Sequence, residues 1–66
     1  MKVKMSSQEY GNRTWTIQKR KELGGKSVWT FTTHDNYERH GGLTWAELVA
    51  KFREVAGNYG FVTNLS

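Results

Sequence analysis

The sequence contains no cysteine, no proline and no long apolar run. Without cysteine the chain has neither disulfides nor thiolate metal ligands, which small domains often use to supplement a thin core. No apolar stretch approaches the roughly 20 residues of a membrane helix, and Met1–Met5 alternates polar and apolar residues unlike a secretion signal. These absences predict a cytoplasmic protein that makes no membrane contact.

The chain has 66 residues, enough for one domain spanning 1–66. A domain of this size buries only ~60% of its unfolded surface, so its core has to be dense. Three Trp, three Tyr and three Phe supply most of the large apolar groups. Because the chain has few other apolar residues to build its core, self-association could supply further stability, and we also expect a homodimer.

Two segments rich in β-branched and aromatic residues, 14–22 and 26–33, flank Gly24-Gly25 and predict a β-hairpin. Shorter alternating segments predict edge strands over 1–5 and 61–65. With one helix, described below, these strands predict an α+β fold in which a small antiparallel sheet packs on that helix.

The hairpin register follows from the length of its loop. A three-residue loop, Leu23-Gly24-Gly25, places Ile17 opposite Phe31 and puts Trp15 and Trp29 on the same face. A two-residue loop would separate these side chains, since a slip of one residue reverses every side chain. The longer loop is therefore favoured. It leaves a second face made of Thr14, Thr16, Gln18, Arg20, Val28, Thr30 and Thr32.

The segment 45–56 predicts an amphipathic helix. Thr44 is the expected N-cap, Glu47 completes a capping box, and Gly57 is the expected stop. One apolar stripe at helical spacing would face the sheet. It consists of Trp45, Leu48, Val49, Phe52, Val55 and Ala56.

Residues 34–42 show no periodicity and end in Gly41-Gly42, so they predict a loop. Their imidazole and carboxylate groups match no established metal-ligand spacing, and nothing in the sequence indicates a pocket that would use them as acid and base. We therefore expect no metal, no cofactor, no catalytic residue and no enzymatic activity. The residues considered for these roles are His34, Asp35, Glu38 and His40.

The net charge of +4 is unevenly distributed, because residues 1–33 carry seven Lys and Arg against Glu9 and Glu22. A basic N-terminal half attracts anionic partners, and a two-stranded ribbon fits the major groove of DNA. The alternative is that these charges provide solubility and protect a strand edge. The predicted partner-binding residues are Arg13, Gln18, Lys19, Arg20, Lys21 and Lys26, with Tyr37 as a stacking residue.

The segment 43–49, followed by Phe52, Gly57 and 60–62, resembles the C-terminal half of small phage-encoded β-β-α accessory proteins. Their shared pattern is Thr-Trp-x-Glu-Leu, an apolar residue on the next turns, and Gly-Phe. The resemblance covers residues 43–62 and implies a role in host takeover or counter-defence in the host cytoplasm. It implies no functional residues, and the basic hairpin disfavours a DNA-mimicking inhibitor.

Together these features predict a non-enzymatic binding protein that captures an anionic partner, either nucleic acid or a nucleotide signal, through its basic hairpin. The alternative is an inhibitor or adaptor that docks on a host enzyme by a strand edge or by the hairpin tip.

Overall fold

Four strands and one helix follow one another along the chain in the computed structural model, which describes residues 1–65. The strands are β1 Lys2–Ser7, β2 Gly11–Lys21, β3 Ser27–Thr32 and β4 Arg39–Leu43, and the helix is α1 Trp45–Asn58. Each strand pairs with the next in an antiparallel sheet of order β1-β2-β3-β4, with α1 on one side. The predicted α+β class is confirmed.

The β2–β3 hairpin has the predicted register. Ile17 pairs with Phe31 and Lys19 pairs with Trp29. The Glu22 amide donates to the Lys26 carbonyl at 2.8 Å, which closes the three-residue loop between them. Beside this loop the Glu22 carboxylate lies 3.9 Å from the Arg20 guanidinium.

The core lies between the sheet and α1 and is built around aromatic rings. Trp15, Phe31 and Phe52 are all 0% exposed. The Phe52 ring centroid lies 5.0 Å from that of Trp15 and 5.1 Å from that of Phe31. Such contacts contribute beyond simple burial of area. The alternation of β2 and β3 therefore places their large apolar residues where α1 covers them.

The helix begins as the sequence predicts. The Glu47 amide donates to the Thr44 hydroxyl at 3.2 Å, and the Thr44 amide donates to the Glu47 carboxylate at 2.9 Å. This reciprocal pair satisfies two amides that have no partner within the helix. The capping box is therefore confirmed.

The predicted stop at Gly57 is wrong, because α1 continues to Asn58. Gly60 supplies the left-handed residue instead, with φ of 75°. The Phe61 amide donates to Ala56 at 2.8 Å and the Gly60 amide donates to Gly57 at 3.0 Å, which is the Schellman pattern. This ending returns the Phe61 side chain to the core.

The predicted loop over 34–42 is also wrong in its second half. A short 3-10 turn, His34–Asn36, is followed by β4, which pairs with β3. The register shifts at Gly41-Gly42, where Gly42 has φ of 70°. A Cβ on Gly41 would lie 2.9 Å from the Thr30 hydroxyl. The glycines that suggested a loop are what let this strand bulge against β3.

The two predicted edge strands have different outcomes. The strand over 1–5 is present as β1 and extends to Ser7. The strand over 61–65 is reduced to a single antiparallel bridge between Ser6 and Val62. Because Phe61 completes the helix ending and is buried in the core, little of this segment is left to pair with β1.

A candidate nucleic-acid interface on the open sheet face

The face of the sheet turned away from α1 is polar. Pairing places Lys2 beside Thr16, Thr16 beside Thr32, and Thr32 beside Arg39, so one row of side chains crosses all four strands. Successive residues of a strand point to opposite faces, which extends the set along each strand. We call it the open face. It consists of Lys2, Lys4, Ser6, Asn12, Thr14, Thr16, Gln18, Arg20, Val28, Thr30, Thr32 and Arg39.

Every charged side chain of the open face is cationic: Lys2, Lys4, Arg20 and Arg39. Arg20 makes an exposed ion pair with Glu22, beyond the end of β2, at 3.9 Å. Among residues 1–65, the other three cations have no carboxylate within 4.0 Å. These three cations are therefore outside a direct ion pair, although Asp35 lines a concavity together with Lys4. The net positive charge can attract an anion.

The centre of the open face holds two side chains with forked hydrogen-bonding groups. The Gln18 amide and the Arg39 guanidinium both line two adjoining shallow concavities. Threonine hydroxyls surround them, and Asn36 adds a second amide from the 3-10 turn. This arrangement offers donors and acceptors to a ligand lying flat against the sheet. The first concavity is also lined by Thr16, Thr32 and Asn36, and the second is also lined by Arg20 and Thr30.

The structure separates the residues that the sequence predicted as one basic cluster. Gln18 and Arg20 lie on the open face, whereas Lys19 and Lys21 alternate onto the opposite face. Arg13 also belongs to that opposite face, where it pairs with Met5.

Lys19 lies against an aromatic pair. Its ammonium nitrogen lies 5.5 Å from the centroid of the Trp29 ring, and the Trp29 and Trp45 centroids are 4.7 Å apart. A cation over an indole gains electrostatic attraction from the ring face. Lys19 is thus placed beside the start of α1 and not on the open face.

The last two predicted residues, Lys26 and Tyr37, lie outside the four strands that form the open face. Glu47, at the start of α1, has a lowered pKa, chiefly because the Thr44 amide and hydroxyl donate to it, with a smaller contribution from the Lys26 charge. Lys26 lies just before β3 and opposite Glu22, whose amide donates to the Lys26 carbonyl at 2.8 Å. Tyr37 is 76% exposed, and its ring meets Tyr59 edge-on at 6.5 Å.

Sequence reasoning missed Arg39 altogether, because it fell within the predicted loop. Lys2 and Lys4 lay on a predicted strand, but their neighbour in the sheet was unknown. The signal that could have found them is the alternation of Lys with apolar residues in Met1–Met5, which is complementary to the Thr-rich alternation of β2. Pairing of these two patterns brings Lys4 beside Thr14.

A second polar group ties β4 to the end of α1. The Tyr59 hydroxyl donates to Glu38 at 2.6 Å, and His40 lies 3.3 Å from the same carboxylate. The Tyr59 hydrogen bond, followed by the influence of His40, lowers the pKa of Glu38 despite some burial. The Glu38 acceptor in turn raises the pKa of Tyr59 to about 12. At neutral pH the two side chains are therefore held as a carboxylate and a neutral phenol.

The histidines and carboxylates of 34–42 do not converge. The Trp15 indole donates to Nδ1 of His34 at 3.1 Å, while His40 lies beside Glu38. Nowhere in residues 1–65 do three His, Asp or Glu side chains come together in a way that would hold a metal ion. In the same described part of the chain, no helix is both long and apolar enough to cross a membrane.

Comparisons with protein-family models, curated proteins and solved structures find no match to this chain. The fold and the open face define its class as a small α+β protein with a cationic, Thr-rich sheet surface.

Proposed function

We propose that this protein binds nucleic acid through the open face. The observation that supports the proposal is a set of four cations interspersed with threonine hydroxyls and the Gln18 amide: Lys2, Lys4, Arg20 and Arg39, of which Arg20 alone among residues 1–65 has a carboxylate within 4.0 Å. Lys and Arg neutralise phosphates and release counterions, while Thr, Asn and Gln donate to phosphate oxygens. The open face presents both kinds of group side by side.

The shape of the open face supports a polymer over a single nucleotide. Pockets for small ligands enclose most of the ligand surface. Here the cations lie on β1, β2 and β4, so they extend across the whole sheet, whose four strands span roughly 14 Å at the usual spacing. Lys2 and Lys4 lie on one outer strand and Arg39 on the other. Several phosphates along a backbone match this spread better than one nucleotide does.

The basic residues of the opposite face add to the attraction at long range. The positive potential around the hairpin is raised by Lys19 and Lys21, on the opposite face of β2, and by Lys26, beside the hairpin loop. Such charges increase the rate of encounter with a polyanion even where they make no contact.

The experiment is a binding titration with a fluorescent duplex over about 50–200 mM salt, analysed as log K against log salt concentration. Three phosphate contacts, from Lys2, Lys4 and Arg20, would give a slope of about −2.7, since each contributes ~0.9. The double variant Lys2→Gln/Lys4→Gln should reduce the magnitude of the slope by about 2.

A matched control removes the same net charge from α1. Lys51→Gln/Arg53→Gln changes only exposed or half-exposed helix positions, and the Lys51–Glu54 ion pair at 3.8 Å is a surface contact of small energy. The control should leave the salt slope unchanged. Undetectable binding at low salt, or an equal loss in both double variants, would refute the open face as the interface.

A second candidate function is docking on a protein through the hairpin tip. Leu23 is fully exposed at the tip, at 102% of its reference surface, and Trp29 of the same hairpin packs on Trp45 at the start of α1. Exposed apolar and aromatic side chains are common at protein interfaces. A stoichiometric protein partner that survives nuclease treatment and is lost in Leu23→Asp would support this candidate over the first.

The biological setting we propose is host takeover or counter-defence by a phage. It is supported by the resemblance of residues 43–62 to phage accessory proteins. Nucleic-acid binding and docking on a host enzyme are both compatible with that setting, so the titration above and the Leu23 variant decide between them.

A further inference from the structure

We infer that the open face enters the major groove of B-form DNA, and that Gln18 and Arg39 read base edges there. This inference rests on the proposed function, because it specifies which nucleic acid the open face binds and how it discriminates among sequences.

The composition of the open face argues against single-stranded partners. Proteins that bind single strands stack bases on aromatic side chains. In this sheet the aromatic residues Trp15, Trp29 and Phe31 all point toward α1. Among the described residues, the open face carries no aromatic ring at all. A ligand lying on it meets hydroxyls, amides and cations, which suit the edges and phosphates of a duplex.

The dimensions of the sheet argue for the major groove. The middle strands β2 and β3 lie ~5 Å apart, and a two-stranded ribbon fits a groove about 12 Å wide. The outer strands β1 and β4 add ~5 Å on each side, which brings them to the groove walls where the phosphates lie. Duplex RNA is disfavoured, because its major groove is too deep and narrow for side chains to read.

The positions of the polar groups separate the residues that would contact phosphates from those that would read base edges. Lys2 and Lys4 lie on the outer strand β1, where they would meet phosphates. Gln18 lies on a middle strand, and Arg39 of β4 lines both of the concavities that Gln18 lines, so the two residues can contact the same ligand. Glutamine matches adenine and arginine matches guanine through paired hydrogen bonds at base edges in the major groove.

The backbone conformation of the 3-10 turn brings Asn36 to the concavity lined by Gln18 and Arg39. Asp35 and Asn36 both adopt left-handed conformations, with φ of 57° and 55°. Non-glycine residues in this region are uncommon, although Asn and Asp tolerate it best. The turn places Asn36 in the lining shared with Gln18 and Arg39. Gln18, Arg39 and Asn36 therefore line one concavity, so a single ligand can contact all three.

The test uses three labelled probes of the same sequence: duplex DNA, duplex RNA and single-stranded DNA. The preferred duplex is first selected from a random DNA pool with the unmodified protein. We expect duplex DNA to bind at least about 10-fold more tightly than either other probe, because only its major groove admits the β2–β3 ribbon.

The variants Arg39→Lys and Lys4→Gln separate base reading from phosphate contact. Arg39→Lys keeps the positive charge but removes the paired N–H donors of the guanidinium. The salt slope should therefore stay the same, while the preference for the selected duplex over a random one should fall by about 5- to 150-fold. Lys4→Gln should weaken all duplexes equally and reduce the slope by about 1. Circular dichroism confirms that each variant is folded.

Three outcomes would overturn the inference. Equal or tighter binding of single-stranded DNA would show that the open face does not need a duplex. Selection that enriches no sequence, or uniform loss of affinity in Arg39→Lys, would assign Arg39 to the phosphates. Failure to bind any of the three probes would refute the proposed function as well, so the two failures are distinguishable.

Discussion

Replacing Phe52 or Trp45 with alanine tests whether the core lies where the structure places it. Both residues belong to the apolar stripe that the sequence predicts for α1. In the structure Phe52 is 0% exposed between Trp15 and Phe31, whereas Trp45 is half-buried and packs on Trp29. Truncation of the two side chains should therefore have unequal costs.

The magnitudes follow from burial. Phe52→Ala removes a fully buried ring and should cost ~3–5 kcal/mol. Trp45→Ala should cost roughly 1–2 kcal/mol, because solvent already reaches part of the indole. A chain of 66 residues has a total stability of about 3–10 kcal/mol. The first change can therefore unfold the protein, while the second leaves it folded.

The assay is urea unfolding followed by far-ultraviolet circular dichroism, with m near 1 kcal/mol/M for a protein of this size. Phe52→Leu serves as a milder variant if Phe52→Ala does not fold. Equal destabilisation by Trp45→Ala and Phe52→Ala would refute the reasoning, because it would mean that both rings are equally buried.

Two further predictions use the same assay. Glu38 has a lowered pKa in the folded protein because Tyr59 donates to it. Its contribution to the free energy of unfolding is therefore fully present above the pKa of the unfolded state, about 4.5, and is lost as pH falls through the folded pKa. Tyr59→Phe should therefore reduce the loss of stability on the acid side when urea unfolding is measured over a series of pH values. An unchanged loss of stability at acid pH would contradict this. Gly57→Ala should stabilise by up to about 1 kcal/mol, since its Cβ would meet nothing within 4 Å, whereas Gly41→Ala should destabilise through contact with Thr30. A shift of the same sign in both variants would refute this.

The elements predicted correctly are those specified by local chemistry. Thr44 and Glu47 are three residues apart, so the capping box is visible in the sequence. The hairpin register could be predicted because only one loop length gathers Trp15 and Phe31 on one face.

The elements that were missed depend on distant partners. β4 contains Arg39, His40 and two glycines, so it has no alternation to recognise and forms only because β3 offers it an edge. The helix continues past Gly57 and is terminated by Gly60, because this ending buries the Phe61 side chain in the core. Tertiary contacts override local propensity in both cases.

The candidate site was only partly predictable for a related reason. Gln18 and Arg20 could be assigned to the polar face from the hairpin alone. The contributions of Lys2, Lys4 and Arg39 depend on which strands flank the hairpin, and that order is a property of the whole sheet. The continuous run Lys19-Arg20-Lys21 suggested one patch, but alternation places its members on opposite faces.

The division of the sheet into a packed face and an open face also bears on how this protein can evolve. Along β2, Trp15 and Ile17 hold the core, while their neighbours Thr16 and Gln18 face outward. Substitutions at the outward positions leave the helix contacts intact, so binding preference can drift without a matching loss of stability. A lineage, or a designer, can thus retarget the surface while inheriting the same aromatic core, which makes this small domain a versatile scaffold.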